Sequence, residues 1–228
     1  MTDRSADPFS DFLYPFLEDK GQIPLATVLD EVRGSTLQKA HEIIAMRQAF
    51  IAEQAEALVS AAEDMARSFA EGGQLLAFGN GGSATDAQDL AADFVNPGDG
   101  YPPLPAISLT NDIGVVTAVG NDVGFDNVFV RQIIAFGRPG DIALGFSTSG
   151  ESPNVITAFE QAKKMGLLTI GIAGYDGGKM ARAGLDRCFV VHSTYIPRIQ
   201  EVHATIYHSL WELTYRILES DYRITPQL

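Results

Sequence analysis

Gln74-Leu75-Leu76-Ala77-Phe78-Gly79-Asn80-Gly81-Gly82-Ser83 is the stretch that decides the fold. Its apolar run is short and does not alternate with polar residues. It therefore reads as a strand buried on both faces, as strands of parallel sheets are. The run stops at a glycine-rich turn that opens the next helix. Downstream the pattern repeats: strands over about 105–109, 141–146, 167–173 and 188–192 alternate with helices over about 83–95, 113–119, 124–136, 152–165, 178–183 and 200–220. Strand and helix in alternation predict a parallel sheet of about five strands, doubly wound, covered on both faces in a three-layer α/β/α sandwich.

Upstream, Ser35 to about Ala70 contains neither proline nor glycine, and its apolar residues fall on a helical stripe. One or two long helices are expected there, ended by Gly72-Gly73. Residues 1–34 carry three prolines, many acids and the aromatics Phe9, Phe12, Tyr14 and Phe16. They read as an N-terminal extension, either a tail or a segment packed on a neighbour, and residues 35–228 as a single domain.

The composition is that of a globular chain: 228 residues, 46% hydrophobic and 20% charged. A chain of this length buries about 70% of the surface it exposes when unfolded, enough for a core without staples. The formal charge of −13 disfavours a phosphate-neutralising nucleic-acid surface. One cysteine, Cys188, excludes an internal disulfide framework and a Cys-rich zinc module. The N-terminus lacks the basic and apolar regions of a signal peptide, and no stretch approaches the length of a membrane helix. A cytoplasmic protein without direct nucleic-acid or membrane partners is expected.

In an open α/β sheet, ligands bind beyond the carboxyl ends of the strands. Two loops there carry chemistry: Gly79-Asn80-Gly81-Gly82-Ser83, and Ser147-Thr148-Ser149-Gly150-Glu151-Ser152. Glycines let backbone approach an anion, a helix N-terminus favours negative charge, and serine and threonine hydroxyls add donors. A phosphate monoester fits such loops without Lys or Arg. Neither a Walker ending nor the dinucleotide Gly spacing is present, so no nucleotide cofactor is implied. Each loop alone has a plain structural reading. Ser83-x-x-Asp86 resembles a capping box, and Ser152-Pro153 resembles a helix start. Two such loops at corresponding strand ends favour a phosphate site.

GNGGS at 79–83, GND at 120–122, STSG at 147–150, GYDGG at 174–178 and RIQE at 198–201 occur in that order. The ordered set resembles the sugar isomerase (SIS) family, within it the D-sedoheptulose 7-phosphate (phosphoheptose) isomerases, over about residues 40–220. The resemblance implies an aldose–ketose isomerase acting on a phosphorylated sugar, in a homotetramer with sites formed between subunits. It implies that Ser83, Ser147, Thr148, Ser149 and Ser152, with Gly81 and Gly82, hold the phosphate. It implies further that Asn80, Asp122 and Gln200 line the sugar site. Its catalytic pair is a Glu base and a His acid, and the members that bind zinc add a His four residues before the Glu and the Gln of RIQE.

This chain keeps Gln200 and His208 but has Asp93 in place of the Glu and Asp89 in place of the His. Pro197 stands where the family commonly has Asp. The expected catalytic pair is therefore Asp93 and His208. Asp89, Asp93, Gln200 and His208 would form a cation set harder than the usual zinc one, open to Zn²⁺ or another divalent ion. Asp89 and Asp93 share a helix face at i,i+4, so without a metal their repulsion should raise one pKa. Each of these residues also has a plainer reading: Asp89 and Asp93 as a solvated face, and His208 as a core histidine. His203 reads as structural, His41 as exposed, and His192 as a strand-end residue near the site. Trp211 and Tyr215 read as packing. Two functions fit: a phosphosugar isomerase, or a phosphosugar-binding regulatory protein of the same fold with weak catalysis.

Overall fold

The computed structural model describes residues 24–98 and 100–222. The aromatics of the N-terminal extension, Phe9 to Phe16, lie outside the described residues. Two compact units divide the chain, residues 1–44 and 45–228. The described part of the first is helical and largely exposed, with Leu25, Val28, Leu29 and Val32 all more than a third accessible. The helix α1 spans Leu25–Ala70, so it begins at Leu25 and not at Ser35. Gly34 lies inside it, where a glycine in an exposed helix costs only about 1 kcal/mol relative to alanine.

From Ala45 onward strands alternate with helical segments, two helices and a 3-10 turn standing between β2 and β3: β1 Leu75–Phe78, α2 Gly82–Val95, β2 Ala106–Ser108, α3 Ile113–Asp122, a 3-10 turn Phe125–Asn127, α4 Val128–Phe136, β3 Ile142–Ser147, α5 Pro153–Met165, β4 Leu168–Gly174, α6 Gly178–Arg182, β5 Arg187–Val191 and α7 Ile196–Asp221. All strand pairs are parallel, in the order β2-β1-β3-β4-β5. This is the expected three-layer fold, and its strands are as apolar as two-sided burial demands: β1 and β3 are buried at every position.

One face of the sheet packs Leu76, Phe78 and Ala143 against Phe129, Ile133, Val155 and Phe159 from α4 and α5. The other carries α2, α7 and the second half of α1. There Phe69 meets Phe94 at 5.1 Å between ring centroids, and Phe146 meets Tyr207 edge-on at 5.8 Å. The open edge at β5 is covered by Gln54 of α1, which donates to the Val190 carbonyl at 2.9 Å and accepts from its N–H at 3.3 Å. An amide side chain thus occupies part of the edge to which another strand would pair.

Two features of this layout fix the site. The strand order reverses between β1 and β3, so the loops after these strands lie side by side at the topological switch point. And α2 and α7 run parallel and in step. Gln200 packs on Gly82, Tyr207 reaches Asp89, Trp211 reaches the Asp93 carbonyl, and Tyr215 reaches the Phe94 carbonyl. The helix α7 starts at Ile196, ahead of Gln200, because Pro197 is accommodated in its first turn.

Candidate active site

The loop after β1 turns at Gly81, which has φ +58° and forms the N-cap of α2. Ser83 makes no side-chain cap bond there, which corrects the capping-box reading. The helix begins at Gly82, so Ser83 lies within the first turn and not at the cap. The N–H groups of Ser83 and Ala84 bond back to the carbonyls of Asn80 and Gly81 at 3.0 Å each. Anion donors at this end therefore fall more on hydroxyls than on backbone N–H groups.

The loop after β3 supplies those hydroxyls. Ser147 Oγ lies 3.0 Å from Ser152 Oγ and 3.4 Å from Ser149 Oγ. Ser152 occupies the N-cap position of α5 but its side chain does not cap, being turned to Ser147 instead. Ser147 is buried, Thr148 and Ser152 are half-buried, and Ser149 is exposed, so the cluster opens toward solvent through Ser149. Gly150 closes the loop at φ +65°, and a Cβ there would overlap the carbonyl oxygen of Gly177. Across the switch point, Asn80 and Asn154 exchange two carboxamide hydrogen bonds of 2.9 Å.

On the neighbouring face, Asp89, Asp93 and His208 come together as the sequence predicts. His208 Nε2 stands 3.5 Å from Asp93 Oδ2 and 3.8 Å from Asp89 Oδ2. His208 is half-exposed, at 52% of its side chain, and so is not a core histidine. Burial, then the charge of Asp89, pushes the Asp93 carboxyl above its ordinary value, and His208 partly offsets this. The expected repulsion from Asp89 thus contributes to the raised carboxyl, but burial is the larger cause. The Tyr207 hydroxyl donates to Asp89 Oδ2 at 2.7 Å, and burial with this bond raises the tyrosine's pKa. Thr85, Asp86, Gln88, Asp89, Ala92 and Tyr207 line a groove of about 390 Å³. Beside it, Asp93, His208, Trp211 and Glu212 border another of about 300 Å³.

Asp86 forms the floor of this acidic face, and its Oδ2 is buried with no hydrogen-bond partner. Burial, then Asp89, pushes its pKa from 3.8 up to about 6. The folded chain therefore holds this proton more tightly than the unfolded chain. Stability falls as pH rises from about 4 to about 6, and the penalty persists above that window. Asp86→Asn removes the penalty. Thermal melts should show the variant gaining on the parent between pH 5 and pH 8; an equal difference at both would sink the assignment.

Of the four residues expected to form a cation set, Asp89, Asp93 and His208 lie side by side and Gln200 stands apart. Among the described residues no group of three or more His, Cys, Asp and Glu side chains is disposed to hold a metal ion. Gln200 lies at the level of Gly82, where a Cβ would overlap its Nε2. That is seven residues, about 10 Å along the helix, from the level of Asp89. Asp122 stands at the exposed end of α3, accepting from Asn121 Nδ2 at 2.7 Å, with no contact to the acid pair seen among the described residues. His203 is fully buried, and burial pushes its pKa down to about 4, so it is a neutral core residue. His41 and His192 are exposed, and His192 Nδ1 lies 3.2 Å from the Tyr175 carbonyl. Trp211 and Tyr215 pack together with Tyr101.

Sequence reading missed Tyr207 and Asn154. Asn154 did leave a signal. It lies four residues before Ala158, on the buried face of α5, and a buried amide requires a partner.

A family model described as the SIS domain matches residues 40–174. The chain is 44% identical over 186 residues to the phosphoheptose isomerase of Nitratidesulfovibrio vulgaris (strain Miyazaki F), covering 81% of this chain and 89% of that one. To the phosphoheptose isomerase of Desulfovibrio desulfuricans it is 47% identical over 185 residues, covering 80% and 88%. The solved structure of phosphoheptose isomerase from Neisseria gonorrhoeae matches with a TM-score of 0.75 and 39% identity, over 80% of this chain and 98% of that one.

Proposed function

The chain belongs to the SIS-domain phosphoheptose isomerases and is an aldose–ketose isomerase of a sugar phosphate; from that premise we propose that its substrate is D-sedoheptulose 7-phosphate, with Asp93 as base and His208 as acid. The observation that carries the assignment of roles is the 3.5 Å approach of His208 Nε2 to Asp93 Oδ2. A carboxylate with a raised pKa is a competent proton acceptor, and an imidazole beside it can serve the adjacent oxygens. Asp93 takes the proton from C1 of the ketose to give an enediol and returns it to C2. His208 moves the proton between O1 and O2. The hydroxyls of Ser83, Ser147, Ser149 and Ser152 hold the phosphate, fixing the far end of the substrate.

The same geometry supports a site shared between copies of the chain. Asp93 lies eleven residues beyond Gly82 on α2, about 16 Å along the helix. An extended seven-carbon chain with its phosphate spans about 10 Å. A substrate held at the phosphate loops of one copy therefore needs the acid pair of another. The exposed apolar residues Leu25, Val28, Leu29 and Val32 on α1, with Ile113 and Phe125 around α3, suit a homo-oligomer, and a tetramer is the proposed state. No helix among the described residues is long and apolar enough to cross a membrane.

Purified protein should turn over sedoheptulose 7-phosphate. Turnover of a shorter ketose phosphate in its place would retain the isomerase and reject the heptose. Binding without turnover of any sugar phosphate would favour the regulatory reading of the fold.

A further inference from the structure

We propose that Asn154 is a positioning residue of the isomerase site, its buried carboxamide setting the orientation of the Asn80 carboxamide at the sugar. The proposal rests on the reading that the loops after β1 and β3 hold the substrate. Asn154 is 1% exposed, whereas Asn80 is half-buried at the switch point. Asn80 Nδ2 donates to Asn154 Oδ1, and Asn154 Nδ2 donates to Asn80 Oδ1, each at 2.9 Å. The β1–β3 ladder ends at the Phe78–Gly145 rung. Just past it these two side chains join the first loop to the first turn of α5.

A carboxamide has two N–H donors and two carbonyl lone pairs. The reciprocal pair uses one donor and one acceptor of each residue. Asn80 keeps one N–H and one lone pair for a ligand, at directions fixed by the bonds to Asn154. Neither amide can turn over alone, because that would set oxygen against oxygen and nitrogen against nitrogen. The Asn80 backbone is fixed as well, since its carbonyl accepts from Ser83 N–H at 3.0 Å. The arrangement presents a preset donor–acceptor pair of the kind that reads a sugar hydroxyl.

The test is steady-state kinetics with sedoheptulose 7-phosphate, and inorganic phosphate as competitive inhibitor, on Asn154→Ala, Asn80→Ala and the double variant. Asn154→Ala should raise KM roughly tenfold or more, as expected when a buried polar group loses its partner. The Ki of inorganic phosphate should stay within about twofold of the parent, because the serine hydroxyls are untouched. The double variant should be no worse than Asn80→Ala. Additive losses would overturn the proposal, since Asn154 would then not act through Asn80. So would an unchanged KM, or a KM and a phosphate Ki that worsen in equal measure. Asn154→Leu, which fills the volume without an amide, carries the test if Asn154→Ala does not fold; a chain that folds with neither makes the amide an element of stability and overturns the proposal. Ser149→Ala with Ser152→Ala reports separately on the underlying reading: an unchanged phosphate Ki there would reject the phosphate loops, whatever Asn154 does.

Discussion

Asp93→Asn should lower kcat by roughly 10²- to 10⁴-fold, the usual contribution of a positioned general base, while leaving inorganic phosphate binding intact. The substitution keeps the shape of the side chain and removes its ability to accept a proton. The helix should tolerate it, because the side chain is about one-third exposed and the backbone contact here, Trp211 Nε1 to the Asp93 carbonyl at 3.1 Å, does not involve the carboxylate. It also removes the charge that faces Asp89 and His208, so a modest gain in thermal stability is expected alongside the loss of turnover. His208→Ala should fall by a similar factor, and the two losses should not add, since both residues serve one proton relay. Stopped turnover with an unchanged phosphate Ki would place Asp93 in the chemical step; an Asp93→Asn enzyme at parental kcat would move the base elsewhere, with Asp89 the next candidate by its 3.8 Å approach to His208.

Asp93 is one methylene shorter than the Glu that the family resemblance implies. Here α7 brings His208 within 3.5 Å of the shorter acid, and Tyr207 donates to Asp89 where the resemblance implies a His. The two departures thus sit in one contiguous set of side chains.

The sheet was legible because its strands are short, largely apolar runs alternating with helical segments, and β1 and β4 end at the glycines Gly79 and Gly174. Elements whose boundaries depend on tolerated exceptions were less legible. Gly34 inside α1 hid a start at Leu25, and Pro197 hid the first turn of α7. Within the site, the i,i+4 spacing of Asp89 and Asp93 shows a shared face but not what faces it. The partners are remote in sequence: Tyr207 is 118 residues from Asp89, and Asn154 is 74 from Asn80. Such pairs are set by the parallel register of α2 with α7 and by the reversal of strand order between β1 and β3. Neither is written in any local pattern.

Two inactive variants should restore each other. Chains carrying Asp93→Asn keep intact phosphate loops, and chains carrying Ser149→Ala with Ser152→Ala keep an intact acid pair. If one copy's loops work with another copy's Asp93 and His208, a mixed pair holds one site with both halves intact and one site with both impaired. Random assembly at equal amounts makes half the pairs mixed, so the unfractionated mixture should recover about a quarter of the parental turnover and the purified mixed pair about half. Each parent variant alone should remain far below that, because two lost charge-assisted bonds to phosphate weaken binding by roughly 10²-fold or more. Co-expression with two tags, purification of the mixed species and a turnover assay read this directly. The separation of about 16 Å along α2 between Gly82 and Asp93 makes recovery the expected result. A mixed species no more active than its components would put the phosphate and the acid pair in one copy. The substrate's phosphate would then have to sit near the groove lined by Asp86, Asp89 and Tyr207, where the surrounding carboxylates repel it.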